Sequence, residues 1–325
     1  MRAPTVSIAT IGTVLTATTS TNEQPPPARR RLRRFFGGDN PAAWLMLAPA
    51  IALLVWWYAI PIVDSIALSF QHVAQFDFSQ RSFAGLQNYQ QLISDPAFRK
   101  SLEITATFVV GVVPAQTVVA LVIAAMLHNI SRAKGAFRTA YFVPYMTSTI
   151  AITTIFMQLF VKGGVAATAL SVVGIPNETW YASTHLALWF LVIVYVYMFV
   201  GLYIVIFTGG METIPQDLYE AASIDGAGPL RQFLSVTIPG VRPFLVFVLV
   251  TGIIQAIQVF DQAYVIAGGT VLGSPAGATS TIVIFIYQQA FRLLDLGYAS
   301  AATVFLLACV IVLGALGWRL APRGD

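Results

Sequence analysis

The chain has 325 residues, of which 57% are hydrophobic and 10% are charged, and its net charge is +4. Soluble domains carry about 25% charged residues, so this composition excludes a water-soluble globular fold. Several apolar runs reach the roughly 20 residues that cross a bilayer as a helix, which predicts an all-α, polytopic helical membrane protein.

Residues 1–40 differ in composition from the rest of the chain. They hold a threonine-rich segment, a run of three prolines from Pro25 to Pro27, and five arginines between positions 29 and 34. This pattern predicts a disordered cytoplasmic extension, followed by a membrane domain over residues 41–325. A cleaved signal peptide is the alternative, although its basic cluster would precede the apolar segment instead of following it.

The apolar pattern predicts six membrane spans, at about residues 43–70, 103–127, 138–161, 184–209, 241–262 and 297–319. Six helices place both termini on one side of the membrane. Most Lys and Arg residues fall in the termini and in the loops on that same side, including the 211–239 loop. The positive-inside rule therefore predicts that both termini and this loop are cytoplasmic.

A polar segment between the fourth and fifth spans has the signals of a short helix. Thr213 and Gln216 have the spacing of a capping box, while Asp217 and Glu220 lie in the early turns, where carboxylates suit the helix dipole. Gly226 is suited to end this helix.

A second short helix is predicted directly after the first. Pro229 is suited to the first turn of a helix, because the proline there loses no needed donor, and Pro239 is predicted to stop this helix.

The same loop carries a resemblance to a known family. The sequence Glu220-Ala-Ala, three residues, Gly226, nine residues and Val236-Thr-Ile-Pro239 resembles the cytoplasmic loop of ATP-binding cassette importer permeases. The family pattern ends in Ile-x-Leu-Pro, so positions 236 and 238 exchange one apolar residue for another.

Four further segments are similar to permeases of carbohydrate importers, and the resemblance covers about residues 43–320. They are Leu47-Ala-Pro-Ala-Ile, Phe137-Arg-Thr-Ala-Tyr-Phe-Val-Pro144, Phe260-Asp-Gln-Ala-Tyr-Val-Ile-Ala-Gly-Gly269, and Tyr287-Gln-Gln-Ala-Phe291 with Gly297-Tyr-Ala-Ser-Ala301.

The resemblance implies a permease subunit in the cytoplasmic (inner) membrane that imports a carbohydrate by alternating access. It also implies a second permease subunit, two ATPase subunits and an extracytoplasmic solute-binding protein as partners, with a homodimer as the alternative for the permease pair. The loop helix would dock into the ATPase through Glu220, Ala221, Ala222, Asp225 and Gly226. Taken without the resemblance, the loop also fits an ordinary amphipathic cytoplasmic hairpin.

The chain lacks a phosphate-binding loop of its own. Such a loop needs Gly-Lys followed by Ser or Thr, and of the three lysines only Lys100 precedes a serine, with Arg99 where glycine is required. We therefore expect no cofactor here, with ATP and Mg²⁺ bound by partner subunits. No catalytic cluster is recognisable, so the chain is not expected to be an enzyme. The three histidines, at positions 72, 128 and 185, lie too far apart in sequence to indicate a metal site.

Polar residues form one stripe on the fifth predicted span. Thr251, Gln255, Gln258 and Gln262 recur at steps of four, three and four, which places them on one helix face. Uncharged amides suit a hydroxyl-rich ligand, and tyrosines on the fourth span, Tyr195, Tyr197 and Tyr203, could add aromatic stacking. The stripe either lines the translocation path or bonds neighbouring helices.

Two functional alternatives remain at this point. One is an importer of the same class for another solute, such as glycerol phosphate or an amino acid. The other is an ion-coupled secondary transporter, which needs carboxylates inside the bundle. The nearest candidates, Asp64 and Asp261, are predicted at span ends.

Overall fold

The computed structural model describes residues 41–73, 81–128, 134–268 and 273–320, so the predicted extension over residues 1–40 lies outside the described part. The described chain is almost entirely helical, which confirms the all-α class. It falls into two compact units that are divided between Ala59 and Ile60.

The first unit contains helix α1 (Pro41–Leu54) and a π-helical turn (Val55–Ala59). Its described side chains are exposed, including those of Trp56 and Trp57. Large apolar side chains on the outside of an apolar helix are suited to lipid.

The second unit begins with α2 (Ile60–Ser69), the two-residue strands β1 (Gln71–His72) and β2 (Ser82–Phe83), α3 (Gln87–Ser94), α4 (Pro96–His128), α5 (Lys134–Met146), α6 (Thr149–Leu159) and α7 (Val165–Ser171). It continues with α8 (Ala187–Glu212), α9 (Gln216–Ile224), α10 (Pro229–Gln232), α11 (Arg242–Ile257), α12 (Asp261–Ile266), α13 (Ile282–Tyr287) and α14 (Leu296–Leu320). The strands pair antiparallel, with Gln71 opposite Phe83.

Five helical runs in the described chain are long and apolar enough to cross a membrane, and they agree with five of the six predicted spans. They are Met46–Ser69, Pro96–Leu127, Ala187–Glu212, Arg242–Ile266 and Leu296–Arg319.

The remaining predicted span, residues 138–161, corresponds to a bent pair of apolar helices and not to one continuous helix. It consists of two segments, Gly135–Met146 and Thr149–Leu159, bent by 96°. The Thr147 amide bonds the Pro144 carbonyl, only three residues back, and Ser148 is extended with ψ = 125° before α6 begins. Apolar composition alone does not encode such a break.

Helix α8 is the centre of the second unit, because it packs against α4, α5, α6, α11 and α12. The fully buried side chains of Phe108, Phe190 and Phe207 fill the space around it. Gly201 permits the closest approach, since a β-carbon at this position would overlap the backbone carbonyl of Tyr141 on α5.

At the opposite end from the α8–α11 loop, polar contacts connect α14 to the start of α4, and α3 to the end of α2 and to β1. The Tyr298 hydroxyl on α14 donates to Asp95 Oδ2 at 2.7 Å, immediately before α4. The Asn88 amide on α3 donates to the carbonyls of Ser69 and Gln71 at 2.9 and 3.0 Å.

Candidate functional site

The helical hairpin (residues 216–240) lies between α8 and α11, and its first helix does not begin as the sequence predicts. Helix α9 starts at Gln216 after Pro215, with no side-chain capping hydrogen bond. Thr213 belongs to the end of α8, because its hydroxyl donates to the Gly210 carbonyl at 2.7 Å. The capping box of Thr213 and Gln216 is therefore wrong: its spacing is present, but the preceding helix uses the threonine.

The end of α9 at Gly226 agrees with the prediction. Gly226 has φ = 75°. Its N–H donates to the Ser223 carbonyl at 3.0 Å, and the Ala227 N–H donates to the Ala222 carbonyl at 2.9 Å. These two bonds are those of a Schellman motif, which reverses the chain after a helix and needs a left-handed residue at this position.

The second arm of the hairpin begins at Pro229, as predicted, but it does not stop at Pro239. A π-helical turn (Phe233–Thr237) follows α10, and a helical turn (Ile238–Gly240) then carries the chain past Pro239. The wider turn accommodates the proline ring, which in a regular α-helix would meet the carbonyl four residues before it.

Side-chain hydrogen bonds hold the two arms of the hairpin together. The Gln232 amide donates to Ser223 Oγ at 2.9 Å and to the Ala227 carbonyl at 3.0 Å. The hydroxyls of Tyr219 and Thr237 form a hydrogen bond of 3.0 Å. The hairpin is thus a built element and not an irregular loop.

Every residue of α9 is at least partly exposed, and so are the residues predicted to contact an ATPase: Glu220, Ala221, Ala222, Asp225 and Gly226. Large apolar side chains beside them are exposed as well. Ile224 is 87% exposed and Leu230 is 72% exposed. An exposed apolar surface with a polar rim marks an interaction site.

A cavity of about 720 Å³ lies behind the hairpin, toward the ends of α4 and α8. Its lining combines polar residues of the hairpin with apolar residues of the long helices and includes Val122, Met126, Met211, Tyr219, Glu220 and Phe233. Glu220 therefore lies at the junction between the hairpin and the membrane helices.

The predicted polar stripe is divided between two helices. Helix α11 ends at Ile257, Gln258 is its C-terminal cap, and α12 begins at Asp261 after Phe260, whose φ is −136°. The regular spacing of four, three and four therefore does not describe one continuous helix face. The break nevertheless leaves Gln255, Gln258 and Gln262 on one small cavity.

This small cavity has a volume of about 300 Å³, at the lower end of the range for ligand pockets. It brings together four of the seven residues predicted for the path: Tyr195, Gln255, Gln258 and Gln262. The rest of its lining does not belong to the predicted stripe or to the predicted tyrosines and consists of Thr149, Phe199, Val259, Phe260 and Asp261. Thr149 comes from the break between α5 and α6, for which the apolar pattern carries no signal.

The amides of the stripe differ in what they contact. Gln262 is only 4% exposed, and its amide donates to the Met198 sulfur at 3.5 Å. Gln255 Oε1 accepts a hydrogen bond of 3.2 Å from the buried Tyr203 hydroxyl on α8. Gln258 is exposed and makes no side-chain hydrogen bond to another described residue, so of the three amides it is the most available to a ligand.

The three remaining predicted path residues, Thr251, Tyr197 and Tyr203, are not part of the cavity lining. The Thr251 hydroxyl donates to the Phe247 carbonyl of its own helix at 2.7 Å. Tyr197 packs its ring against Phe156, with centroids 4.9 Å apart. Among the described residues, no three His, Cys, Asp or Glu side chains are grouped as metal ligands.

Comparison with known proteins gives matches over most of the chain. Residues 116–323 match the family described as "Binding-protein-dependent transport system inner membrane component". The lactose transport system permease protein LacF of Rhizobium radiobacter is 33% identical, covering 84% of this chain and 91% of LacF. The arabinooligosaccharides transport system permease protein AraP of Bacillus subtilis (strain 168) is 29% identical, covering 86% of this chain and 88% of AraP.

Among solved structures, a chain of a bacterial alginate ABC transporter, in complex with an alginate pentasaccharide-bound periplasmic protein, has the same fold. The TM-score is 0.72 at 17% identity, and the match covers 91% of this chain and 100% of that chain.

Proposed function

The chain belongs to the family of inner membrane components of binding-protein-dependent transport systems, and on that premise we propose that it is the permease subunit of an ATP-driven carbohydrate importer. The solute would be a mono- or oligosaccharide or a polyol, delivered by an extracytoplasmic binding protein. The observation that carries the proposal is the helical hairpin, a folded, exposed element closed at Gly226 between two membrane helices.

The chemistry of the small cavity supports a carbohydrate as the solute. Its polar lining consists of amides, a threonine, a tyrosine and one carboxylate, and it includes no Arg or Lys. Amides both donate to and accept from hydroxyl groups, whereas a phosphorylated solute would favour arginine. The names of the relatives LacF and AraP, which refer to lactose and arabino-oligosaccharides, support the same class.

The hairpin supports the placement of ATP hydrolysis on separate subunits. Glu220 and Asp225 are exposed carboxylates that can pair with basic side chains of an ATPase, and Ala221 and Ala222 allow its backbone to approach closely. Movement of the ATPase would then reach α8 and α11 directly, because the hairpin connects these helices.

The assembly that we propose has a second permease subunit, two ATPase subunits and a solute-binding protein. The permease pair would be a heterodimer, with a homodimer as the alternative. The chain would cross the cytoplasmic membrane with both termini and the hairpin inside, as the distribution of Lys and Arg indicates.

Affinity purification of the tagged chain from mild detergent tests the coupling. The wild type should retain an ATPase subunit, and Glu220→Lys should release it by placing a positive charge against basic partner residues. Glu178→Lys is the matched control, because it makes the same charge change in the segment between α7 and α8. Retention of the ATPase by Glu220→Lys would contradict the proposed docking.

Uptake into cells tests the solute class, with lactose, maltose, trehalose and an arabino-oligosaccharide as probes. Uptake of one of these sugars should fail after ATP depletion and survive an uncoupler. Loss with the uncoupler but not with ATP depletion would favour an ion-coupled secondary transporter. Uptake of glycerol phosphate or an amino acid, and of none of the sugars, would contradict the proposed solute class but not the proposal that the chain belongs to an ATP-driven importer.

A further inference from the structure

Gln116 is a fully buried amide in the middle of α4. Neither its side-chain oxygen nor its side-chain nitrogen makes a well-formed hydrogen bond among the described residues, although the amide lies close to the Tyr203 hydroxyl. Burying an amide without a partner is unfavourable, because the amide gives up its hydrogen bonds to water and gains none in return. An apolar side chain of the same size would avoid this cost, so the position calls for an explanation.

The surroundings of Gln116 connect it to the small cavity. A β-carbon on Gly252 of α11 would lie 2.7 Å from Gln116 Nε2 and 3.5 Å from the Tyr203 hydroxyl, so both groups lie over the same glycine. The Tyr203 hydroxyl donates to Gln255 Oε1 at 3.2 Å, and Gln255 lines the cavity. A line of polar groups therefore runs from the cavity through Gln255 and Tyr203 to Gln116.

The hydroxyl of Tyr203 has a single proton and a buried position. It donates to Gln255 in this structure, and only 1% of the Tyr203 surface is exposed. If Gln255 turns its carbonyl oxygen toward a solute hydroxyl in the cavity, the Tyr203 bond breaks, and the phenol cannot reach water. Gln116 then supplies an acceptor, since rotation about its last side-chain bond presents either end of the amide.

We propose that Gln116 is a positioning residue for solute binding, because its side-chain oxygen takes over the Tyr203 hydroxyl when Gln255 turns toward a solute in the cavity. This inference rests on the proposed function. It assigns Gln116 no contact with the solute. Its role is to replace one hydrogen bond by another, so that Gln255 is free to turn without leaving a buried donor unpaired.

The substitution Gln116→Met separates this role from a purely structural one. Methionine has a similar volume and no amide, so the thermal unfolding temperature of the purified importer should stay constant or rise. Binding of a labelled sugar, the one that the wild type imports among the four probes, should weaken about tenfold, which corresponds to about 1.4 kcal/mol. The measurement is equilibrium binding to the complete importer in detergent, without the solute-binding protein.

A second substitution tests the connection through Tyr203. Tyr203→Phe removes the hydroxyl from which Gln116 is proposed to accept a hydrogen bond. Adding Gln116→Met in this background should therefore cause no further loss of sugar affinity. Thr117→Val is the matched control on α4, because the buried Thr117 hydroxyl donates to the Val113 carbonyl of its own helix at 2.6 Å. This variant should bind the sugar like the wild type.

The outcomes distinguish the inference from the proposed function. Unchanged sugar affinity in Gln116→Met, or the same loss in the wild-type and Tyr203→Phe backgrounds, would overturn the inference alone. A wild-type importer that binds and imports glycerol phosphate or an amino acid, and none of the four sugars, would overturn the carbohydrate proposal and this inference together.

Discussion

Replacing Gly226 by alanine tests whether the bend that ends α9 is required for partner docking. Gly226 has φ = 75°, and a β-carbon there would meet no atom within 4 Å. The cost of alanine is therefore confined to the left-handed backbone and amounts to about 1–2 kcal/mol. The free variant relieves this strain by leaving the left-handed region, so docking has to return residue 226 to the left-handed conformation. That cost corresponds to an association about 5- to 30-fold weaker.

In the assay, the ATPase subunit is titrated onto the purified membrane subunit. The measured quantity is the ATPase concentration at which half of the membrane subunit is bound. Gly174→Ala is the matched control outside the hairpin, because Gly174 has φ = 88° and equally open space. The Gly174 N–H donates to the Ser171 carbonyl at 3.1 Å, and the Ile175 N–H donates to the Leu170 carbonyl at 3.3 Å. These two bonds have the same pattern as the bonds at Gly226. This control should bind the ATPase like the wild type. Gly226→Asn should recover part of the loss, because asparagine tolerates the left-handed region. Equal losses in the two alanine variants, or no loss in Gly226→Ala, would refute the reasoning.

Three further variants test the packing and the path. Gly201→Ala should lower the free energy of unfolding by about 3 kcal/mol in detergent through overlap with the α5 backbone, whereas Gly209→Ala on the same helix, with no atom within 4 Å, should not. Tyr298→Phe should cost about 2 kcal/mol in the same assay, because it removes a 2.7 Å bond to a carboxylate. Gln258→Leu should reduce sugar uptake about fivefold with normal assembly.

The parts of the fold that the sequence predicts are those set by local chemistry. Long apolar runs locate five spans, Pro229 marks the start of a helix, and Gly226 marks the end of another. Each signal depends on a property of one residue type or of one segment. Tertiary contacts are not needed to interpret any of them.

The capping box shows where local chemistry becomes ambiguous. Thr213 has the right spacing from Gln216, yet its hydroxyl bonds backward to Gly210, because α8 runs as far as Glu212. A pattern of four residues does not reveal which of two adjoining helices uses the shared side chain. The boundary depends on how far α8 stays packed, which is a property of the whole bundle.

The two breaks in the membrane helices could not be predicted from hydropathy, because breaking a helix leaves its composition unchanged. One break lies at Thr147 and Ser148, and the other lies from Gln258 to Phe260. Both breaks occur in apolar segments whose composition is equally compatible with an unbroken helix. What holds them in place is packing between distant parts of the chain, as in the contact between α6 and α12.

The positions of these breaks give the small cavity part of its polarity. A broken helix leaves backbone groups without partners, and within a membrane such groups are tolerated only where they are buried in protein or face a water-filled space. Thr149 follows the first break, and Gln258 through Asp261 form the second, and all of them line the same cavity. The breaks therefore contribute Thr149, Gln258 and the carboxylate of Asp261 to the polar lining, and the regular helices contribute Tyr195, Gln255 and Gln262. A straight α5–α6 segment would move Thr149 away from the cavity, so the bend that hydropathy cannot predict is what builds this side of the cavity.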